Sequence, residues 1–382
     1  MTEYWLISAP AEKNMEETWK IINRAFEKFK KCDAYKFYIP ALKVGTLDTL
    51  LTDADDLIKL EQYLDNILNR LVTSLETVID EEKFVIKDTL SVDSEPIHEY
   101  LISFKWDLSK FPPKQTIKCL ASLAQKQALQ IDLEYKRKIQ QYVAVRGALE
   151  TIEKNDQGSL LTKNLNDLVT EDDFILNSEF MCTVLVVVVK KLYSDWLRTY
   201  ERFDQTVLPR SSRVIAEDHE FYLIGVSLFK ERVKNFSDTA KKFKFIVRDY
   251  VYDEQARRLY KENYLKVKKK KESLYEPLVK DLKHKFSEIF KSLIHMKACK
   301  LFVESVLRYG LPANFEAAVI IMNKKDIKKI REILHHLYKH LDITSGEAEK
   351  PASVEVMASL GQAQEYYPYQ TSQWALISIT PQ

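Results

Sequence analysis

The feature that most constrains the fold is an apolar stripe in the last third of the chain. Between residues 278 and 306, apolar side chains recur every three or four positions, which places them on one face of a helix. They are Leu278, Leu282, Phe286, Ile289, Leu293, Met296, Cys299, Val303 and Val306. The mean spacing is close to the heptad value, so the stripe predicts a long helix packed against another long helix. Gly310 and Pro312 predict its end.

A second long helix is predicted over residues 113–154, a stretch with one glycine and no proline after its first position. Its seam has ten steps over 35 residues, a period of 3.5. The seam consists of Ile117, Leu120, Ala124, Ala128, Ile131, Tyr135, Ile139, Tyr142, Val145, Leu149 and Ile152. Such a helix is roughly 50 to 60 Å long. We therefore expect an elongated molecule whose two long helices run antiparallel.

The segment between these helices, residues 159–250, has a different texture. Residues 181–189 are almost all apolar, which predicts a strand covered on both faces. Helical patterns over 194–204 and 230–242 alternate with strand candidates at 207–216, 221–229 and 243–252. This order predicts a β-α-β-β-α-β unit, a small mixed sheet with helices on one face. It would lie at the tip of the helical stalk.

Both chain ends are predicted to meet in a single basal sheet. Its strands would be residues 4–9, 315–322 and 374–380, with a further strand candidate at 35–39. A helix that follows Pro10 and reaches about Lys31, another helical region over 46–89, and a helix over 324–341 capped by Asn323 complete the prediction. The fold class is α+β and predominantly helical, and no internal repeat is visible.

Composition argues against several kinds of function. Only 7 glycines occur in 382 residues, none followed by lysine, so no phosphate-wrapping loop is present. No HExxH, GxSxG or HRD motif occurs. The net charge of +2 offers no overall field for nucleic acid or anionic lipid. We predict no catalytic residue, no metal site and no cofactor, and an enzyme remains the rival class.

The chain start and its apolar runs indicate the compartment. No basic leader with a long apolar segment precedes residue 10, and the longest apolar run is far shorter than the roughly 20 residues of a membrane-spanning helix. The 4 cysteines are widely separated, which is typical of a reducing compartment. We expect a cytoplasmic protein that does not insert into a membrane.

Two groups of residues are candidate partner-binding sites. The loop residues Arg210, Ser211, Ser212 and Arg213 combine two guanidinium groups with hydroxyls, which suits a carboxylate or phosphate, but pairing within the chain explains them equally well. The run Lys268, Lys269, Lys270 and Lys271 is either a landing site for an acidic partner or a solvated helix face. We favour the solvated face because aromatic residues between the lysines are sparse.

Other polar groups are interpreted as structural. His336 and His340 are four residues apart on a predicted helix, but no third metal ligand is placed near them. We interpret them as surface histidines. Asp172, Asp173 and Glu179 lack a catalytic partner, so we interpret them as surface or capping groups.

A series of short sequence segments resembles the sequences of one protein family. They include YWLISAP at 4–10, KVGTLDTL at 43–50, FKWDLSKFPPKQ at 104–115, GSLLTKNL at 158–165 and EDDFILNSEF at 171–180. Further words are VLPRSSRVIAED at 207–218, KFIVRDY at 244–250, LFVESVLRYGLPANF at 301–315 and YYPY at 366–369. Together they resemble the C subunit of the vacuolar-type proton-translocating ATPase over nearly the whole chain. Residues 53–95 and 343–362 match least well.

The resemblance implies an architecture and a role. It implies a foot domain from both termini, a neck of long antiparallel helices and a small α/β head. In this chain, residues 1–155 are assigned to the foot and the first neck helix. Residues 156–255 are assigned to the head, and residues 256–382 to the second neck helix and the rest of the foot. It implies a non-catalytic stator that bridges peripheral stalks, built of the E and G subunits, to the cytosolic domain of the membrane-embedded a subunit and controls reversible assembly. Binding to actin filaments, or to another acidic partner, is the alternative.

Overall fold

The computed structural model describes residues 2–11, 14–29, 32–79, 90–338 and 370–375. Helices predominate, and two four-stranded antiparallel sheets and one small hairpin account for the strands of this part of the chain. The α+β, mainly helical class predicted from the sequence is therefore confirmed. Among these residues, no helix combines the length and the apolar character needed to cross a bilayer.

The helices of the described residues are numbered in chain order. They are α1 (Met15–Phe29), α2 (Leu47–Ile79), α3 (Ile97–Ile102), α4 (Ile117–Gln157), α5 (Tyr193–Thr199), α6 (Val233–Lys242), α7 (Glu254–Tyr309) and α8 (Ile327–Tyr338). The strands are β1 (Thr2–Pro10), β2 (Cys32–Lys36), β3 (Ser91–Val92), β4 (Glu95–Pro96), β5 (Met181–Val189), β6 (Arg213–Glu217), β7 (Phe221–Phe229), β8 (Ile246–Arg248), β9 (Phe315–Asn323) and β10 (Gln370–Ala375). Short 3₁₀ turns precede α5, α6 and α8.

The chain forms two compact units, which we call the terminal unit and the central unit. The terminal unit comprises the described residues of Met1–Ile139 and Pro277–Gln382, and the central unit is Gln140–Glu276. The long helices α4 and α7 each contribute to both units. Each unit contains one of the four-stranded sheets.

The sheet of the terminal unit joins both ends of the described chain. Its strand order is β10-β1-β9-β2, and every neighbouring pair is antiparallel. The helices α1 and α8 cover one face, where Trp5 and Ile320, which are register partners, lie fully buried with Phe26 and Leu334. This confirms the predicted basal sheet, to which β2 adds a fourth strand.

The long helix α7 covers the other face of this sheet. The hydroxyls of Ser8 and Ser305 are 2.6 Å apart, and the Tyr309 hydroxyl donates to the carbonyl of Ser8 at 3.0 Å. The rings of Phe302 and Phe315 meet edge to face. Because both faces are covered, β9 is apolar and buried along almost its whole length.

The sheet of the central unit has the order β6-β7-β5-β8. The helices α5 and α6 cover one face through Trp196, Phe236 and Ala240, which pack on Val186 and Ile224. All neighbouring strands are antiparallel, so the predicted mixed sheet is wrong. Direction within a sheet depends on which strands pair, and this is not visible in the local pattern of any one strand.

An irregular segment covers the second face of the central sheet. Leu160, Leu165 and Val169 pack against Leu185 and Val187 of β5. The Arg248 guanidinium fixes this segment by donating to the carbonyls at positions 160 and 163, at 2.7 and 3.0 Å. The valine-rich run of β5 is therefore covered on both faces, as predicted.

The two sheets share one topology. In each, the chain runs β-α-β-β-α-β, and numbering the four strands along the chain gives the spatial order 4-1-3-2. In the central unit a short turn at 218–220 joins the second strand to the third, whereas in the terminal unit residues 37–314 lie between them. The sequence shows no repeat, because a shared strand order does not require shared residues.

Within each unit, α4 and α7 run antiparallel. In the terminal unit, Lys138 pairs with Asp281 at 2.9 Å and Lys285 pairs with Glu134 at 2.6 Å. In the central unit, the Tyr260 hydroxyl donates to Asp156 at 2.8 Å. The predicted seam of α4 is buried or half-buried throughout. Gly310, with a φ of +80°, ends α7 as predicted.

Several predicted bounds need correction. The strand expected at 35–39 is Cys32–Lys36, and the strand expected at 243–252 is only Ile246–Arg248. Asn323 makes no side-chain capping bond, and a 3₁₀ turn precedes α8, which begins at Ile327. The predicted ends at 89, 341 and 380 lie outside the described residues.

Candidate partner-binding surfaces

The arginine-serine loop lies between α5 and the edge strand β6 of the central sheet. Leu208, two residues before Arg210, is held to β7, because its amide donates to the carbonyl of Ser227 at 3.0 Å. Arg210 has a φ of +61°, an uncommon backbone conformation for a residue other than glycine. The structure thus places this predicted group on a rigid turn at an exposed edge of the sheet.

The two serines of this loop are used within the chain. The Ser211 hydroxyl donates to the Leu208 carbonyl at 2.7 Å and accepts from the Ser227 amide at 3.3 Å. The Ser212 hydroxyl accepts from the indole N–H of Trp196 at 3.0 Å. Since the Trp196 side chain is fully buried, Ser212 satisfies a donor that would otherwise lack a partner. Both hydroxyls therefore make hydrogen bonds that position the loop.

The two arginines of the loop remain exposed. The amide of Arg210 donates to the Glu201 carboxylate at 2.8 Å, and this bond, followed by that of the Tyr200 hydroxyl, holds the pKa of Glu201 below its ordinary value. The Arg213 side chain is 69% exposed and reaches Asp173 only at 3.8 Å. Weak pairing leaves both guanidinium groups able to bind a carboxylate or phosphate.

The lysine run lies in the interior of α7, within the central unit. Lys268, Lys269 and Lys270 are exposed and Lys271 is half-buried, and none of the four forms an ion pair with a described residue. Successive residues of a helix are turned by about 100°, so four in a row point all around it. They cannot converge on one ligand, which favours the solvated-face interpretation.

The histidines and acids singled out in the sequence do not form a ligand cluster among the described residues. His336 is exposed on α8, and His340 lies outside the described part of the chain. Asp173 caps a 3₁₀ turn, where its carboxylate accepts from the amide and the hydroxyl of Thr170, both at 2.9 Å. Within the same residues, no group of three or more His, Cys, Asp or Glu side chains is arranged to hold a metal ion.

A buried histidine on α7 was not anticipated from the sequence. His295 is 1% exposed and lies among the rings of Phe104, Trp106 and Phe111. Its Nε2 accepts from the Asp107 amide at 2.9 Å, so Nδ1 carries the proton and donates to the Lys291 carbonyl at 2.7 Å. Burial lowers the pKa of His295 to about 4. The ring is a neutral anchor for the segment before α4.

Charged residues around α7 join the parts of the terminal unit. The Glu288 carboxylate accepts from Lys110, from Gln127 at 3.0 Å and from Lys291 at 2.9 Å. Burial opposes ionisation of Glu288, but the hydrogen bonds from the two lysines outweigh it and hold its pKa below the ordinary value. In the sequence, the only indication of this docking is the cluster of aromatic residues in FKW at 104–106 and KFPP at 110–113.

The described residues therefore form an α+β fold, and the candidate partner-binding groups on it are exposed guanidinium and ammonium groups. A family model described as the C subunit of the V-ATPase matches residues 4–370. The C 1 subunit of the V-type proton ATPase of Rattus norvegicus is 42% identical to this chain over 370 residues, covering 97% of both chains. The corresponding C 1-B subunit of Danio rerio and C 1 subunit of Xenopus laevis are each 40% identical with the same coverage. The chain belongs to the V-ATPase C subunit family.

Family membership decides the class of function. The family consists of non-catalytic subunits of the V-type proton ATPase, so the prediction of a non-catalytic chain is confirmed by family membership. The match begins within β1 and ends at the first residue of β10, so it includes the central sheet, the other three strands of the terminal sheet and both long helices. The relevant chemistry is recognition of other proteins.

Proposed function

We propose that the chain is a stator component that bridges peripheral stalks, built of the E and G subunits, to the cytosolic domain of the membrane-embedded a subunit. The observation that carries this proposal is the match to C subunit relatives over 97% of the chain. In this role the chain lies on the cytosolic face of the membranes of acidic organelles, or of the plasma membrane. It holds stationary parts of a rotary pump together and performs no chemistry itself.

The proposed architecture is a foot from both termini, a neck of long helices and a head from the centre. The antiparallel α4 and α7, of 41 and 56 residues, support it. At 1.5 Å per residue these helices are about 60 and 80 Å long. Pro277 lies inside α7 and has no backbone N–H, so one hydrogen bond of the helix is missing at that position. The three-part division at 155 and 255 remains part of this proposal.

We place the stalk-binding site of the head at Arg210 and Arg213. Their guanidinium groups are exposed on a turn that Ser211 and Ser212 hold rigid, so little conformational entropy is lost on binding. Interfaces of this polar kind are suited to release, which reversible assembly of the pump requires. The head should bind an E and G heterodimer more tightly than the foot does.

The role is tested by adding the purified chain to pump-containing membranes from cells that lack it. We expect the E, G and a subunits to co-purify with the chain and ATP-driven proton uptake to recover. Failure of the added wild-type chain to bind the pump would contradict the proposal. So would ATP hydrolysis by the purified chain alone.

The arginine site is tested by calorimetry on the full chain with the E and G heterodimer. The double variant Arg210→Glu and Arg213→Glu should weaken binding by about tenfold or more, since each charge-assisted bond contributes roughly 1.5 to 3 kcal/mol. Arg198→Glu is the control, because Arg198 is also exposed in the central unit but lies on α5. Equal affinities of the double variant and the control would exclude this site.

Actin filaments, which are acidic, are the alternative partner. The exposed lysines Lys268, Lys269 and Lys270 are the feature that favours this partner. Replacing the four lysines of the run by glutamine should leave pump assembly intact. If the alternative holds, the same change abolishes salt-sensitive co-sedimentation with actin.

A further inference from the structure

The first turns of α2 have an apolar side that the described residues leave exposed. Leu47, Leu51, Ala54 and Ile58 follow each other in steps of four, three and four, so they share one side of the helix. Leu47, Leu51 and Ile58 are 65, 53 and 38% exposed, and Ala54 is half-buried. We call these four residues the α2 stripe. It extends about 16 Å along the helix axis.

The α2 stripe is additional to the side that attaches this helix to the terminal unit. Leu50, Leu57, Leu60 and Leu64 are buried, and their mean direction lies roughly 100° around the helix from the stripe. A helix that packs on a core from one side normally has polar residues on the rest of its surface. The stripe therefore differs from a solvated helix face, because leucine and isoleucine occupy positions that water should favour for polar residues.

A comparison with α4 shows that the stripe is more than scattered exposure. Leu129 and Leu133 of α4 are exposed and four residues apart, but Lys126 and Lys136 occupy the next positions on that side. Single exposed apolar side chains are ordinary on protein surfaces. A contiguous series over three turns is the kind of exposed patch that marks an interaction site.

Acidic side chains border the α2 stripe. Asp55 is exposed, and because it lies four residues after Leu51 and three before Ile58, it is at the edge of the stripe. Asp65 is seven residues after Ile58, so it ends the stripe on the same side of the helix. Neither carboxylate forms an ion pair with a described residue.

Two half-buried carboxylates lie near the end of the stripe. Asp65 and Glu304, the latter on α7, both interact electrostatically with Glu61, and neither forms a hydrogen bond with a described residue. Burial raises the pKa of both acids, and the neighbouring lysines, with Arg308 in the case of Glu304, offset this effect only in part. A cation from outside the chain would stabilise their charged forms.

The bases close to the stripe do not cancel these acids. Lys59 pairs with Asp56 at 3.8 Å, and Lys300 pairs with Glu61 at 3.1 Å. Lys43 lies before α2 begins. The helix dipole accounts for a further acid, Asp48, which lies in the first turn. It does not account for Asp55, Asp65 or Glu304.

We propose that the α2 stripe is a docking surface for a helix of another pump protein. The apolar side chains of that helix lie on the stripe, and its flanking arginines or lysines pair with Asp55, Asp65 and Glu304. This inference rests on the proposed function, to which it adds a surface of the terminal unit and the chemistry of its partner. A partner helix of about three turns covers the stripe. The contact then has an apolar centre and a charged rim.

Charge distinguishes this occupant from three others. A second copy of the chain, docked stripe to stripe, would bring like charges together. An anionic bilayer attracts basic helices and would repel these acids. The segments 80–89 and 339–369 of this chain lie outside the described residues, and each contains more acidic than basic residues. They do not supply the flanking cations.

The test uses membranes with the pump from cells that lack the chain, to which purified full-length variants are added. The stripe variant carries Leu47→Gln, Leu51→Gln and Ile58→Gln, which removes apolar surface and leaves the charge unchanged. The control carries Leu108→Gln, Leu129→Gln and Leu123→Gln in the same unit. The control side chains are 64, 51 and 41% exposed, which matches the stripe.

We expect the stripe variant to bind the pump about tenfold or more weakly than the wild type, while the control stays within about twofold. Both variants should keep the Tm of the wild type, because the replaced side chains are exposed. Equal binding by the stripe variant and the control would overturn the proposal. So would a Tm of the stripe variant clearly below that of the control, since the stripe would then be packed within the chain.

The charged rim is tested by Asp55→Lys, with Glu332→Lys on the exposed side of α8 as the control. Both variants change the net charge of the terminal unit by the same amount. We expect Asp55→Lys to weaken binding about fivefold or more, and the loss to shrink as salt rises. Unchanged or tighter binding of Asp55→Lys would contradict a partner with basic flanks.

Photo-cross-linking identifies the occupant directly, with benzoylphenylalanine in place of Leu51. We expect an adduct with a pump protein, at a helix whose apolar residues are flanked by arginine or lysine. An adduct with a second copy of the chain, with lipid or with an acid-flanked segment would overturn the proposal. If the wild-type chain itself does not bind the pump, the proposed function fails instead, so the two failures are distinguishable.

Discussion

The terminal sheet lies between α1 and α8 on one face and the long helix α7 on the other, whereas the central sheet lies between α5 and α6 and the irregular segment 158–174. The strand order is the same in both. In the central unit a turn at Asp218, whose carboxylate accepts from the Phe221 amide at 2.6 Å, joins the second and third strands directly. In the terminal unit residues 37–314 lie between those two strands.

The difference shows how the same strand order is stabilised when the paired strands are close in sequence and when they are far apart in sequence. The central sheet is assembled from neighbouring segments, so its contacts form at a low loop-closure cost. The terminal sheet closes a much longer loop and packs on a helix that also carries buried charges. Burial of Lys297, which is 1% exposed and pairs with Glu61, is a feature of the terminal unit.

The largest expected effect is at this buried ion pair. Burial opposes ionisation of Glu61, but Lys297 and Lys300 outweigh it and hold its pKa below the ordinary value. Glu61→Gln should lower the free energy of unfolding of the terminal unit by about 3 to 5 kcal/mol, measured by urea unfolding. The control is Glu217→Gln in the central unit, whose exposed pair with Lys190 should contribute less than about 1 kcal/mol. Equal losses would break the contrast between the units.

A matched pair of isoleucines tests whether the two sheets are energetically separate. Ile320 and Ile224 occupy the third strand of their sheets, face the covering helices and are fully buried. Each change to alanine should cost about 2 to 5 kcal/mol. Hydrogen exchange should show the loss of protection in β1 and β9 for Ile320→Ala, and in β5 and β7 for Ile224→Ala. Loss in both sheets from either variant would show that the units unfold together.

Acid should weaken the terminal unit before the central unit. The pKa of His295 is about 4 in the fold because of burial, against about 6.5 when unfolded. The unfolded state therefore binds the proton first, so stability is fully present above pH 6.5 and is lost as the pH falls toward 4, by about 3 kcal/mol. Urea unfolding between pH 7 and 4 measures this loss.

The matched variants for this prediction are His295→Gln and His219→Gln. His295→Gln should flatten the pH dependence of the terminal unit, because glutamine has no proton to bind in this range. His219→Gln, in the exposed turn of the central unit, should leave it unchanged. An unaltered slope in His295→Gln would refute the assignment.

The smallest effect concerns the loop of the central unit. Ser212→Ala removes the acceptor of the buried Trp196 indole N–H and should cost about 1 to 3 kcal/mol in thermal or urea unfolding. Ser211→Ala, at a half-exposed hydroxyl of the same loop, should cost less. The opposite ranking would mean that the loop is not held through Trp196.

Local patterns in the sequence account for most of the elements. The seam of α4, the stripe of α7 and the valine run of β5 each depend on periodicity within one segment, which a single sequence displays. The end of α7 at Gly310 likewise depends on one residue with access to a left-handed conformation. The family resemblance rested on short segments of consecutive residues, which can be recognised without a three-dimensional structure.

The candidate sites, too, were predicted only in part from the sequence. The sequence identified Arg210 and Arg213 as candidate partner-binding groups and left pairing within the chain open. Only the contacts show that Ser211 and Ser212 serve the loop itself. The four lysines at 268–271 are adjacent in sequence, but in a helix their side chains point in different directions around the axis.

By itself, the sequence determined where helices and strands form and to which family the chain belongs, because these follow from residues that are near neighbours or from short words. Only the tertiary structure decided that both sheets are wholly antiparallel, that they share one strand order, and that His295 is buried among aromatic rings. The physical reason is that pairing and burial are set by contacts between residues as far apart as Trp5 and Ile320, whose partners no local pattern specifies.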